Sequence, residues 1–294
     1  MNHVQDNAEE CIRNAIVNLR EGKYEYELDN GEFIRVKITI DKIKREATID
    51  FTGTAPKNPF NYNAPMAVCH AVILYVFRTL VGSNIPLNEG CFKPLNIVVP
   101  NNSMINAKYP SAVIAGNTEV SQLTCNALFG ALGIIAGSQA TMNNFIWGND
   151  KIQNYETICG GTGAGPNFHG TSAVQTHMTN TRSTDPEILE ARFPVRLEEY
   201  SIRKNSGGKG MFNGGDGVTR KLRFLEPMTV TTLCSHRKVR PFGLNGGEPG
   251  QCGKEWLEKK DGKFIRLQGN DSCEVKVNDL FVMETPGGGG FGSK

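Results

Sequence analysis

At 294 residues, 39% hydrophobic and 21% charged, the chain can bury one large core or two smaller ones and has the make-up of a soluble globular protein. Its 32 basic and 30 acidic residues are well mixed and leave a net charge of +2, which excludes the basic footprint of a nucleic-acid or anionic-membrane binder. No apolar run approaches the roughly 20 residues of a membrane helix, and the polar start MNHVQDNAEEC does not have the pattern of a signal peptide. Eight cysteines stand singly with no CxxC pair, which points to reduced thiols in the cytoplasm rather than to disulfides or zinc.

In chain order, Ala8, Cys11, Ile12, Ala15, Ile16 and Leu19 recur at helical spacing and predict an amphipathic helix over 7–20, ended by Gly22. A strand through YEYEL, an Asn30-Gly31 pair favouring a two-residue hairpin, and strands over 33–40 and 46–51 form a meander. FTGTAPKNPFNYNAP is a structured loop. Asn63 is placed to cap a helix over 66–81, with Pro65 in its first turn. His70 reads as a structural histidine, because no second ligand lies one turn away. A strand over 95–99 follows, then a second long helix carrying Val120, Leu123, Ala127, Leu128 and Leu132, with Asn117 as its N-cap. GSQATMNNFIWG gives a turn and a strand, and Asp185-Pro186 opens a short helix over 187–192. From Pro194 on, short strands alternate with SGGKGMFNGGDG, PFGLNGGEPG and PGGGGFGSK, the pattern of a β-rich lobe. The fold class is mixed α+β: a helix-plus-hairpin start, central helices on sheet and a glycine-rich β lobe, divided as 1–193 and 194–294.

The stretch YETICGGTGAGPNFHGTSAVQTHMTNTRSTD, 155–185, is dense in uncharged hydrogen-bonding side chains. It reads either as the lining of a pocket or as a solvated loop whose Thr and Asn residues bond their own backbone. General acid–base work is the local chemistry it favours. His177 can exchange a proton near neutral pH, Arg182 can clamp a carboxylate or a developing negative charge, and Glu156 and Asp185 can orient either. Cys159 with His177 as base, and a metal held by His169, His177 and Asp185, are weaker readings, because neither spacing is specific. Gly165-x4-Gly170-Thr171-Ser172 looks like a phosphate loop but has threonine where the phosphate-reaching lysine belongs. Asn143 and Asn144 are turn residues or a polar patch beside the pocket.

Across nearly the whole chain, DFTGTAPKNPFNYNAP, IPLNEGCFKPLNIVVP, SQATMNN, YETICGGTGAG, HMTNTRSTDPEILEARFPV, GGKGMFNGGDGVTR, RPFGLNGGEPG and ETPGGGGFG resemble, in order, the words of the hydantoinase B / 5-oxoprolinase family. The resemblance implies a component of an ATP-dependent cyclic-amide hydrolase, of the 5-oxoprolinase type first, with N-methylhydantoinase or a ketone carboxylase subunit as alternatives. A non-catalytic scaffold or an inactive fragment is the alternative from another class. ATP and Mg are implied to be bound by a hydantoinase A-like partner, and any divalent metal by an N-terminal hydantoinase B-like segment whose His- and Asp-containing words do not occur here. The chain thus resembles the C-terminal portion of a hydantoinase B-like protein, expected to be inactive alone, with a small-molecule lactam as substrate and a homo-oligomer compatible with it. Carried over word by word, His177, Arg182, Glu156 and Asp185 are the catalytic candidates. Asn61, Asn63, Asn117, Glu119, Asn143, Asn144, Asn180 and Thr181 are the substrate-binding ones.

Overall fold

The helix expected at the start of the chain forms over Asn2–Ile16 (α1) and turns Ala8, Ile12 and Ile16 inward. This is seen in a computed structural model that describes residues 2–293. The described residues divide into two compact units, one up to Ile134 and one from Ile135. No helix among them is long and apolar enough to cross a membrane.

In the first unit, β1 (Gly22–Glu27), β2 (Phe33–Asp41), β3 (Glu46–Asp50) and β4 (Leu95–Val98) form one sheet in that order. The first three are the expected antiparallel meander, and β4 joins β3 in parallel. A parallel neighbour needs a crossover, and the helix α2 (Met66–Thr79) lies within it. A third helix, α3 (Ser121–Leu132), is buried along its whole length. Its small residues allow this: a Cβ on Gly130 would stand 2.9 Å from the Tyr24 ring, so the helix meets β1 with almost no gap.

Three local expectations are corrected here. The β1–β2 hairpin is not a two-residue turn. Leu28 N–H bonds Glu32 O at 2.9 Å and Gly31 N–H bonds Leu28 O at 2.9 Å, so the loop holds Asp29, Asn30 and Gly31. Gly31 takes φ of 82°, the left-handed position that completes a three-residue hairpin. Asn63 does not cap α2. Pro65 stands at the cap position with no side-chain bond, because the Asn63 amide is committed elsewhere. Asn117 does not cap α3 either, since Gly116–Val120 forms a turn of π-helix that runs straight into it.

The second unit is built on two antiparallel sheets. One has the order β12-β9-β5-β6, from β5 (Asn144–Gly148), β6 (Gln153–Thr157), β9 (Met228–Leu233) and β12 (Asn270–Val275). The other has the order β11-β10-β13-β8-β7, from β7 (Val195–Arg203), β8 (Gly217–Phe224), β10 (Lys254–Glu258), β11 (Phe264–Leu267) and β13 (Leu280–Glu284). Phe145, Trp147 and Val230 of the first sheet share one buried core with Leu222, Phe224 and Phe281 of the second, the arrangement of a β-sandwich. The Phe145 and Phe281 rings stack at 4.6 Å. Strands β5 and β6 complete the sheet of β9 and β12, so the compact unit begins well before residue 194, where the sequence pattern changes. The helix α4 (Pro186–Arg192) leads into β7.

The glycine-rich words do more than turn the chain. Consecutive N–H groups of Gly287, Gly288 and Gly289 donate to Gln251, Gly215 and Gly137 in three separate segments, and Gly290 returns to Glu248, beside the first. A direction that repeats after three residues is the geometry of an extended three-fold helix, not of a pleated strand. The neighbouring chains close in on this central segment. A Cβ on Gly288 would lie 1.9 Å from Thr162 O, and one on Gly214 2.1 Å from Gly288 O. Glycine is required here because backbone lies where a side chain would go.

Candidate functional site

The expected polar stretch folds across the second unit as one network. Glu156 and Thr157 stand at the end of β6, and alternation sends their side chains to opposite faces. On the inner face Glu156 Oε2 accepts a hydrogen bond from Arg220 Nη2 at 2.8 Å. Arg220 lies on β8, in the other sheet, and both side chains are buried. Arg220 Nε and Nη1 and Glu156 Oε1 have no partner among the described residues. The guanidinium lies 4.9 Å from the centre of the Tyr200 ring, opposite it on β7. Tyr200 carries the link outward, with its hydroxyl 3.1 Å from Cys159 Sγ and 3.1 Å from Ser183 Oγ.

On the other face Thr157 faces Thr181 hydroxyl to hydroxyl, and Gln175 Nε2 donates to Thr157 O at 3.2 Å and Oγ1 at 3.1 Å. Gln175 Oε1 and Thr176 Oγ1 carry no hydrogen bond among the described residues. Both atoms are closed off from solvent, so they are unbonded groups within the fold and not groups that its surface presents.

His177 sits inside this loop with φ of 48°, a left-handed backbone that a non-glycine residue adopts at a cost of order 1–3 kcal/mol. The ring keeps some solvent access but is surrounded by protein, and desolvation lowers its pKa to about 4. It is therefore an unprotonated imidazole at neutral pH, a weaker base than a solvent-exposed histidine and not a fixed cation. Arg182 is exposed and makes no ion pair among the described residues, so its charge is available. Asn180 is exposed beside it. Asp185 plays a structural part, because its Oδ1 accepts from the N–H of Glu187 at 2.9 Å and of Ile188 at 3.4 Å, capping α4 as its Asp-Pro start implied. Burial pushes the Cys159 thiol up, away from the thiolate a nucleophile needs.

Asn143 belongs to a second buried network. It holds φ of 45°, donates to Gln139 Oε1 at 2.8 Å and Ile158 O at 2.9 Å, and accepts from Arg237 Nη1 at 2.8 Å. Arg237 in turn pairs with Glu255, whose side chain is fully buried. Asn144 bridges strands by donating to Leu233 O, and its Oδ1 accepts from the Tyr155 hydroxyl at 2.7 Å.

Four candidates lie in the first unit. Asn63 is fully buried and committed to backbone: Oδ1 accepts from Asn58 N–H at 2.7 Å, and Nδ2 donates to the carbonyls of Asn58, Phe60 and Ala112 at 2.9, 2.8 and 3.0 Å. Asn61 is exposed, and its carbonyl accepts from Asn63 and Ala115. Asn117 is exposed and Glu119 fully buried on the π-helical turn. A groove of about 930 Å³ in this unit, lined by residues such as Glu21, Asp41 and Lys44, contains none of the candidates.

No group of three or more His, Cys, Asp or Glu among the described residues is placed to hold a metal ion. His169 Nδ1 accepts the N–H of Asn213 at 2.9 Å and Asp185 Oδ1 caps a helix, so each of these atoms already has a partner in the fold. The phosphate-loop lookalike does not open a helix: Gly165 and Phe168 pair in a tight bridge instead.

Sequence reasoning misses Arg220, Tyr200 and Gln175. Arg220 carries a signal, because Val218, Arg220, Leu222 and Phe224 alternate along β8 and are all buried. A cation in that register implies a buried anion.

The sequence matches the hydantoinase B/oxoprolinase family over residues 1–294. It is 44% identical to 5-oxoprolinase 1 of Arabidopsis thaliana over 312 residues, covering 100% of this chain and 24% of that protein. Among solved structures it is similar to an ATP-dependent caprolactamase from Pseudomonas jessenii, with a TM-score of 0.82 and 21% identity over 98% of this chain and 55% of that one. It is also similar to a nucleotide-free acetone carboxylase, with a TM-score of 0.84 and 17% identity over 97% of this chain and 47% of that one. At these identities the two structures show the mixed α+β fold alone. The chain spans about a quarter of the length of the curated relatives it first matches. It belongs to the hydantoinase B/oxoprolinase family.

Proposed function

We propose that this member of the family is the part of an ATP-dependent cyclic-amide hydrolase, of the 5-oxoprolinase type, that supplies a polar wall to the site of ring opening. The observation that carries the reading is the 44% identity to a 5-oxoprolinase across the whole chain. The lactam named for the caprolactamase of similar fold agrees with it. A lactam offers a carbonyl acceptor and an amide N–H donor. The exposed Asn180, whose amide both donates and accepts, is the complementary side chain of the stretch. His177, held neutral, takes a proton during the attack of water, and Arg182 attracts the carboxylate of an acidic lactam such as 5-oxoproline.

ATP and Mg belong to a hydantoinase A-like part, and the remaining B-like segment completes the assembly in the cytoplasm. The test is glutamate formation from 5-oxoproline and ATP, with this chain alone and with A-like and N-terminal B-like partners. Turnover only in the complete mixture is expected. No turnover in any mixture, with the chain folded and its partners bound, overturns the reading. The fold shared with acetone carboxylase makes ketone carboxylation the second reading, and replacing the lactam by acetone and a carbon dioxide source separates the two.

A further inference from the structure

We infer that Arg220 and Tyr200 are positioning residues that set the 176–184 loop from beneath, Arg220 by clamping the Tyr200 ring and Tyr200 by holding Ser183. Neither residue reaches the loop's outer face. Arg220 is buried between the sheets, and Tyr200 presents its hydroxyl sideways to Cys159 and Ser183.

The geometry forms a chain of contacts. Glu156 fixes one Arg220 nitrogen at 2.8 Å, and the guanidinium carbon lies 4.9 Å from the centre of the Tyr200 ring. Tyr200 is 37% exposed, and the cation beneath its ring adds to the two hydroxyl contacts that set its rotamer. The Tyr200 hydroxyl bonds Ser183 Oγ at 3.1 Å, three residues after Asn180 and one after Arg182. Glu156 also precedes Thr157 on β6, and Thr157 holds Gln175 and Thr181. The loop bearing His177 and Arg182 is thus tied at both ends to residues that converge on one buried guanidinium. Among its backbone amides, Thr179 N–H bonds Thr176 O at 3.0 Å, a turn bond within the loop. A Lys in place of Arg220 would keep a charge for Glu156 but lose the guanidinium placed over the Tyr200 ring.

The test uses the full chain with Tyr200→Phe, Ser183→Ala, the double variant and Arg220→Lys. Hydrogen exchange is read first and needs no substrate. Amides of residues 176–184 should exchange about tenfold faster in each variant, while those of β8 and β13 keep their rates. Tyr200→Phe and Ser183→Ala should not add in the double variant, because they break the same bond. The second arm rests on the cyclic-amide hydrolase reading. In the complete assembly, kcat for 5-oxoproline should fall about tenfold in Tyr200→Phe with KM for ATP unchanged. Exchange in 176–184 unchanged in both Tyr200→Phe and Arg220→Lys overturns the inference, as does full additivity of the two hydroxyl variants. Faster exchange with no wild-type turnover upholds the positioning role and overturns the proposed reaction instead.

Discussion

Arg220 and Glu156 meet at 2.8 Å from opposite sheets of the sandwich, with side chains 1% and 6% exposed. Two guanidinium nitrogens and one carboxylate oxygen beside the bond have no partner among the described residues. A buried pair of this kind gains little over an apolar substitute, but breaking it strands a charge.

Glu156→Leu should therefore destabilise the chain by about 3–5 kcal/mol in urea unfolding. The double variant Glu156→Leu with Arg220→Met should recover most of that loss while leaving the 155–185 stretch without its clamp. Equal stability of the wild type and Glu156→Leu would show that Arg220 is satisfied without Glu156.

The neutral imidazole of His177 gives a pH dependence of defined sign. Its folded pKa of about 4 lies below the ordinary value of 6.5, so the unfolded chain binds the proton more readily. The contribution to stability is fully present above pH 6.5 and is lost as pH falls toward 4. The loss amounts to at most about 3 kcal/mol. Unfolding measured across that window should fall less steeply in His177→Gln than in the wild type. A titration of the His177 ring by NMR with a midpoint near 6.5 would contradict it.

Two polar candidates differ in how much structure hangs on them. Asn63→Ala strands one N–H and removes a donor from three carbonyls, and should cost about 3 kcal/mol. Asp185→Ala removes one helix cap and should cost about 1 kcal/mol, nearly all restored in Asp185→Ser. Thermal melts of the three variants rank them directly.

Gly288→Ala would drive a methyl group to 1.9 Å from Thr162 O, where both neighbours are backbone. It should cost more than about 4 kcal/mol and prevent recovery of folded chain. Gly82→Ala faces open space and should leave the melting temperature within a few degrees of the wild type.

The parts legible in the sequence are those set by near neighbours. The alternation of Phe33–Ile40 marks β2, Asp185-Pro186 marks the start of α4, and the glycine-rich words mark a region with few helices. The polar run 155–185 stands out because so many polar groups cannot be packed as core, though pocket lining and a loop bonding its own backbone read alike in the sequence. Distance in the chain hides the rest. The Asn63 amide resembles a cap because its partner Ala112 is 49 residues away. Arg220 is 64 residues from Glu156, so the pair leaves only the mark of a cation at an inward strand position. The glycines read as turns because composition records flexibility but not which backbone lies against which.

The glycine stack also bears on when the second unit can finish folding. Its central residues, Gly287–Gly290, bond Gly137, Gly215, Glu248 and Gln251, all synthesised earlier. Until the stack has left the ribosome, those carbonyls lack the partners they have in the folded chain. The second unit therefore closes late, and a nascent chain halted before residue 286 should remain a client of chaperones.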